Sequence, residues 1–264
     1  MFATDPGAAR PTLPAPLFPP ERVRPAWVRF AMRNWPLVAG AVLLVAVVLL
    51  AVFAPLLAMT DPGKVSIVAR LQPPSDSYPF GTDALGRDVY SRVLYGARVS
   101  LTVGISVAVI TTFGGLVLGL LAGFLRRLDG VLMRVMDGAM SIPPVLLAIA
   151  LMSLLGPSVP NVIAAIALAE LPRMARLVRG VVLTLRDLPF IEAARLSGSS
   201  TPAIVVRHLL PNAMAPVVVQ ATYVFASAVL VEAVLSFLGA GTPRGVPSWG
   251  NIISQAPALS GGRP

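Results

Sequence analysis

Cysteine is absent from the 264 residues, which excludes disulfides and thiolate metal sites. Histidine occurs once, as His208. A Ser-His-Asp hydrolase would have to use it, yet it sits in an arginine-rich stretch with no nucleophile motif. Lysine also occurs once, as Lys64. A phosphate-cradling loop needs GxxxxGK followed by Ser or Thr, whereas Gly63-Lys64 is followed by Val65 and the first glycine position holds Ala58. ATP is therefore not bound by that route, and if the chain works with ATP another polypeptide supplies the site. Charge of any kind is scarce: 12% of residues are charged and 56% hydrophobic, with a mean hydropathy of +0.79. That is a membrane composition.

The formal net charge of +9 does not point to nucleic acid. Most of the excess is arginine placed beside apolar segments, as expected of loops on the cytoplasmic side of a membrane, and no basic patch interleaved with aromatics is visible.

Residues 1–25 are rich in proline and alanine without hydrophobic periodicity and read as a flexible tail. Arg22, Arg24, Arg29 and Arg33 then precede an uncharged run from Asn34 to Thr60, longer than the roughly 20 residues a helix needs to cross a bilayer. The run is too long and too far from the terminus for a cleaved signal peptide, and the arginines put the N-terminus in the cytoplasm. Residues 61–98 form an outside segment broken by Pro62, Pro73, Pro74 and Pro79. Its charges, Asp83, Arg87, Asp88, Arg92 and Arg98, are expected to pair among themselves in a loop packed at the outer surface, in preference to touching a substrate.

Val99–Leu125 is expected to be the second span, with Gly115, Gly119 and Gly123 on one face, where another backbone can approach closely. Arg126, Arg127 and Arg134 bring the chain back inside. The third span is expected from about Gly138 to Leu155, where Pro143-Pro144 must kink or interrupt it; a broken helix at a transport pathway and a simple structural kink both stay open. A fourth span starts near Val162 and is interrupted by Glu170, which is expected to pair with Arg173 three residues on, at the inner boundary of the membrane, rather than to relay protons. The fifth runs outward from Asn212 to Val231. Glu232 sits near its outer end, and pairing with a neighbouring subunit or a role at an outer gate are both open. From Gly239 onward the chain is turn-rich and reads as an external re-entrant or surface segment.

Between the fourth and fifth spans lies the most strongly patterned segment, Leu188 to Pro211. Its chemistry predicts two short helices meeting at a corner. Asp187 is expected to cap the first, with Pro189 in its early turn and Gly198 as its stop; Ser199, Ser200 or Thr201 caps the second, Pro202 takes its first position, and Pro211 ends or kinks it. Ile204, Val205, Leu209 and Leu210 give that helix an apolar surface beside Arg207 and His208, which suits docking into a partner's groove.

Glu192-Ala193-Ala194, then Gly198, then Leu210-Pro211 resembles the EAA loop of ABC importer permeases. The flanks narrow this. Phe80-Gly81-Thr82-Asp83, Gly86-Arg87-Asp88, Ser91-Arg92, Gly96-Ala97-Arg98 with Ser100-Leu101, Ala175 to Gly180, His208 with Pro211-Asn212, Glu232-Ala233 with Leu235 to Gly239, and Ser248-Trp249-Gly250 are similar to the dipeptide/oligopeptide/nickel permease family over roughly residues 25–254.

The resemblance implies an all-α polytopic membrane protein with the transmembrane fold of a type I ABC importer, in a bacterial or archaeal plasma membrane. It implies as partners a second permease subunit, cytoplasmic ABC ATPase subunits, an external substrate-binding protein and membrane lipid, with no cofactor and no enzymatic activity in this chain. On that basis the chain divides into a cytoplasmic tail 1–25, a first span and external loop 26–98, a core permease domain 99–254 enclosing the docking loop 181–211, and an external tail 255–264. The expected ATPase-docking residues are Glu192, Ala193, Ala194, Gly198, Pro202, Ile204, Val205, Arg207, His208, Leu209, Leu210 and Pro211. In that reading Glu192 and its neighbours are expected to stabilise the loop, Gly198 to make the corner, and the face from Pro202 to Leu210 to meet the ATPase. Family members usually continue into a sixth span that returns to the cytoplasm, whereas only five are read here, so a truncated or shortened form is the expectation. An ATPase-independent secondary transporter and a non-transporting membrane scaffold are the competing readings.

Overall fold

The computed structural model describes residue 30 and residues 32–255; the expected tail 1–25, Arg29 and residues 256–264 lie outside them. Among the described residues every regular element is helical. They are α1 (Trp35–Val52), α2 (Ala54–Leu57), a 3-10 turn (Ile67–Ala69), α3 (Val89–Phe124), α4 (Arg126–Met140), α5 (Pro144–Leu155), α6 (Val159–Arg186), α7 (Pro189–Leu196), α8 (Thr201–Ile204), a π-helical turn (Val205–Leu209), α9 (Leu210–Phe237) and α10 (Trp249–Gln255). The unit from residue 46 onward carries the core, built on α3, α6 and α9.

α3 starts ten residues before the expected second span because Asp88 caps it, accepting from the backbone N–H of Tyr90 at 3.1 Å and of Ser91 at 3.2 Å. Arg92 and Arg98, expected in the outside loop, are thus helical. The glycine stripe does what its spacing suggests. A Cβ built on Gly115 would stand 2.2 Å from Met174 Cγ, on Gly119 2.5 Å from Val178 Cβ, and on Gly123 2.7 Å from Val182 Cγ1. Since both series of numbers rise together, α3 and α6 run parallel, and their axes approach closer than any side chain on α3 would permit.

Of the two outcomes expected at Pro143-Pro144, the structure shows the interruption: the chain breaks there, turning through 89° between an amphipathic α4 and an apolar, 12-residue α5. Both missing N–H groups fall where α5 begins, and Pro143 takes the extended backbone of an N-cap. α4 is then held to α6 by ion pairs Asp129–Arg179 and Asp137–Arg176.

By length and apolarity α1, α3 and the continuous run Thr201–Phe237 can cross a membrane, and up to four spans result if the bent pair counts as one, against five expected. The difference is α6, 28 residues long but carrying Glu170, Arg173, Arg176, Arg179 and Arg186. Within it Glu170 and Arg173 pair as expected, at 2.9 Å, with Pro172 accommodated between them.

At the N-terminal end of α3 the loop 60–88 and α10 form a polar assembly. Asp83 accepts from Arg87 Nε at 2.7 Å and from the backbone amides of Leu85 and Arg87 at 2.8 and 3.0 Å. Asn251 donates to four oxygens of the 242–246 turn at 2.9–3.2 Å, and the Trp249 indole donates to the Val93 carbonyl. Glu232 is fully buried and accepts from Ser236 at 2.7 Å and Ser100 at 3.3 Å, so its partners lie within the chain.

Gly115→Ala is expected to lower the melting temperature of the detergent-extracted protein, since overpacking costs about 1–3 kcal/mol. Gly130→Ala, with open space around the added carbon, should not; equal melting of the two would refute the close-packing argument. A second outcome concerns pH. Burial alone would raise the Asp83 carboxyl, but hydrogen bonds from the Arg87 side chain and from the Arg87 and Leu85 amides, with the Arg87 charge, hold it below the ordinary carboxylate range. Its stabilisation is therefore complete above the unfolded value of about 3.9 and fades as pH falls through the lower folded value. Asp83→Asn should destabilise at pH 7 and progressively less in acid, as read by melting temperature from about pH 7 to about pH 3.

Candidate functional site

The segment between α6 and α9 folds into two helical pieces joined at a corner. α7 begins after Leu188, which occupies the N-cap position in extended backbone without a side-chain cap; Asp187, expected there, closes α6 instead. The apolar Ile191 is fully buried while Glu192 and Ala193 face out, the period of a helix with one covered side. α7 ends in a glycine motif. Gly198 has φ +81°, and the amides of Ser197, Gly198 and Ser199 return to the carbonyls of Ala193, Arg195 and Ala194 at 2.9, 3.0 and 3.1 Å. The small Ala193-Ala194 pair therefore ends up next to the corner, with Ala194 packed on the core.

α8 starts with Ser200 at its N-cap position, where its carbonyl accepts from Ile204 N at 3.0 Å but its hydroxyl caps nothing. Thr201, not Pro202, takes the first helical position. Pro211 neither ends nor kinks the helix. Its ring would strike the carbonyl of residue 207 in a regular α-helix, and the chain answers by widening into a π turn over Val205–Leu209, in which Leu210 N–H bonds to the Val205 carbonyl. Helix then continues without interruption into α9, and Thr201 to Phe237 forms one run of 37 residues.

The expected site residues separate into two groups. Ile204 and Leu209 are buried, 1% and 0% exposed, and belong to the chain's own core, so they hold the corner rather than offering a surface; the expected apolar docking face is corrected at these two positions. Val205, His208 and Leu210 are half-buried. Glu192, Ala193, Gly198, Pro202, Arg207 and Pro211 are exposed. The Glu192 carboxylate makes no hydrogen bond or ion pair within the described residues, so the expected stabilising role is not exercised through its side chain here.

Two exposed apolar residues that the sequence reading did not single out flank the corner: Leu196 is 85% exposed and Val206 61%. Their signal was their position, since each stands out of register with the buried set Ile191, Ile204 and Leu209. Phe190 and His208 face each other across the corner with ring centroids 6.2 Å apart. Arg195 lies 5.8 Å over the ring of Phe124 at the end of α3, and Arg186 donates to the Gly123 carbonyl at 2.9 Å. The corner is thus tied to the end of α3 where the glycine stripe finishes. Among the described residues no cluster of His, Asp or Glu could hold a metal ion. The arrangement is a bend with small and apolar residues on its outside and a helix leading from it into the bundle.

The chain is similar to known membrane transport proteins. The family described as binding-protein-dependent transport system inner membrane component matches residues 115–261, which contain the corner, and the family described as N-terminal TM domain of oligopeptide transport permease C matches residues 23–74. A protein of Sinorhizobium fredii described as a probable peptide ABC transporter permease protein is 49% identical over 229 residues, covering 87% of this chain and 78% of its own. The di/tripeptide transport system permease protein of Pseudomonas aeruginosa is 40% identical over 244 residues, covering 90% and 80%. The oligopeptide transport system permease protein of Bacillus subtilis is 35% identical over 237 residues, covering 89% and 77%. With more than half of the chain matched and long apolar helices around a helical corner, the chain belongs to the family of binding-protein-dependent transport system inner membrane components, as an all-α, multi-pass membrane protein.

Proposed function

We propose that this chain is the transmembrane subunit of an ATP-driven importer of small peptides. Peptide is the substrate class named for the similar permeases of Pseudomonas aeruginosa and Bacillus subtilis. The chain itself is a transport subunit and not an enzyme. ATP is hydrolysed by separate cytoplasmic ATPase subunits, a second permease completes the pathway, and an external binding protein delivers the substrate. The N-terminus lies in the cytoplasm, in keeping with Arg22, Arg24, Arg29 and Arg33 ahead of the first span.

The corner formed by α7 and α8 is the ATPase-docking element. One observation carries this reading: the exposed corner is the end of the same unbroken helical run that becomes the span α9. A 37-residue helix is about 55 Å long, and a push on its end is delivered through the bundle as a rigid-body movement instead of being absorbed in a loop. Leu196 and Val206 supply the apolar contact, Glu192, Arg195 and Arg207 the charged rim, and Gly198 the bend.

Gly198 has open space around it, so substitution there acts through backbone conformation alone. Gly198→Val forces a β-branched residue to positive φ, a strain of about 1–2 kcal/mol or more confined to the corner. Co-purification in detergent with the partner permease and ATPases should fall for this variant, while membrane insertion stays intact and Gly198→Asn, which tolerates that conformation, retains the complex. Normal ATPase capture by Gly198→Val would overturn the docking assignment. Val206→Asp and Leu196→Asp should each weaken ATPase capture by about 1–3 kcal/mol through an unpaired charge at the contact, without changing the melting temperature of the isolated chain; full capture by both would assign the docking surface elsewhere.

A further inference from the structure

A polar layer crosses the bundle at one depth. Glu170 of α6 is 2% exposed; its Oε2 accepts from Arg173 Nη1 at 2.9 Å and its Oε1 from the Ser227 hydroxyl of α9 at 3.1 Å. The Arg173 guanidinium stands 5.6 Å from the centre of the Tyr223 ring of α9. On α3, Gly114 abuts Leu171 and Gly115 abuts Met174, which puts Thr111 and Thr112 at this level too. Thr112 Oγ1 and Gln220 Nε2 of α9 are buried atoms with no hydrogen-bond partner. With the start of α6 at Val159 taken as the outer edge of a hydrocarbon layer about 30 Å thick, Glu170, about 17 Å along the helix, falls near the middle of that layer and not at the inner boundary expected for its pair with Arg173.

Two members of this layer reach the surface of the fold. The Arg173 side chain is 37% exposed and Tyr223 53%, while Glu170 behind them is covered. Elsewhere the outward stripe of α3, Ile105, Val109, Phe113 and Val117, is entirely apolar and matches lipid. An arginine facing hydrocarbon at mid-depth is strongly disfavoured, and such residues face water or the interior of an assembly. Arg173 uses Nη1 alone on Glu170 and makes no other hydrogen bond within the described residues, so most of its planar fork of donors is free. That fork matches a carboxylate held by two parallel hydrogen bonds, and the Tyr223 ring keeps the guanidinium in place.

We propose that the α6–α9 face bearing Arg173 and Tyr223 lines the translocation pathway, and that Arg173 is the mid-membrane contact for the carboxylate of a peptide in transit. This rests on the peptide-importer reading above. Glu170 gives the site its release. An unpaired guanidinium at this depth would hold an anion too firmly, whereas one already shared with a carboxylate exchanges one partner for the other, as passage requires.

The absence of cysteine from the chain makes the test direct. Tyr223→Cys and Phe113→Cys are each assembled with the partner permease, ATPases and binding protein in liposomes and treated with a charged, water-soluble methanethiosulfonate, and labelling of this chain is followed. Tyr223→Cys should react faster than Phe113→Cys by on the order of tenfold or more, because hydrocarbon excludes both the charged reagent and the thiolate. A saturating dipeptide should slow the reaction, its C-terminally amidated counterpart should not, and adding Arg173→Gln should erase that difference. Equal, slow labelling of the two positions would mean that the face meets lipid or the second permease, and would overturn the proposal. Equal protection by the amidated dipeptide would overturn the carboxylate contact. Dipeptide-stimulated ATP hydrolysis by the unsubstituted complex is measured alongside. Its absence would fail the importer reading itself, while its presence with an inert position 223 would fail this inference alone.

Discussion

The contact between α3 and α6 is the constraint on which the rest of the unit from residue 46 onward depends. In an apolar solvent there is no hydrophobic drive to bring helices together, so association rests on dispersion at short range and on hydrogen bonds between spans. Gly115, Gly119 and Gly123 remove every side chain between the two backbones along one stripe, and Met174, Val178 and Val182 fill the groove so made. With α6 seated this way, its apolar positions face α3 while Arg176 and Arg179 turn toward Asp137 and Asp129 of α4. The same seating brings Glu170 to Ser227 of α9.

Most buried carboxylates of this bundle find a partner within a few residues or on an adjacent helix, whereas Arg92 Nη2, Thr112 Oγ1 and Gln220 Nε2 are buried without one among the described residues. Asp83 is satisfied by Arg87, Glu170 by Arg173 and Ser227, and Glu232 by Ser100 and Ser236. Arg173 and Tyr223 stand apart from this because they are half out of the fold, and that departure makes their face informative. The corner between α7 and α8 is the opposite case. It projects two apolar side chains, Leu196 and Val206, that nothing within the described chain covers.

Much of the fold was legible because membrane solvent simplifies the reading. Uncharged runs of about 20 residues or more read as helices, since a membrane strand needs only about 10, and glycines four apart mark a close approach whatever lies opposite. The corner was legible from Pro189, Gly198 and Pro202, each of which limits the backbone locally. The reading stayed open or failed where the outcome depended on what a segment packs against. Pro143-Pro144 left a kink and an interruption both open, and the structure shows the interruption, with a turn of 89° before α5. Pro211 is expected to end or kink its helix, yet a π turn relieves the clash and the helix goes on. Ile204 and Leu209 were read as docking surface because an apolar residue on a short helix has the same signature whether it meets its own core or a partner.

The sequence by itself determined the solvent, the class and the family of this protein, because hydropathy, the placement of arginine and a set of motifs in order are local or one-dimensional properties. It also determined where the corner bends, since φ at Gly198 and the prolines around it act within a few residues. Only the tertiary structure decided which apolar residues of the corner face outward, that the corner and α9 are one continuous helix, and that Glu170, Arg173, Tyr223 and Ser227 meet at one depth. Those outcomes depend on the register between helices far apart in the chain, and register is set by the mutual fit of surfaces such as the glycine stripe and its groove, which no stretch of sequence contains alone.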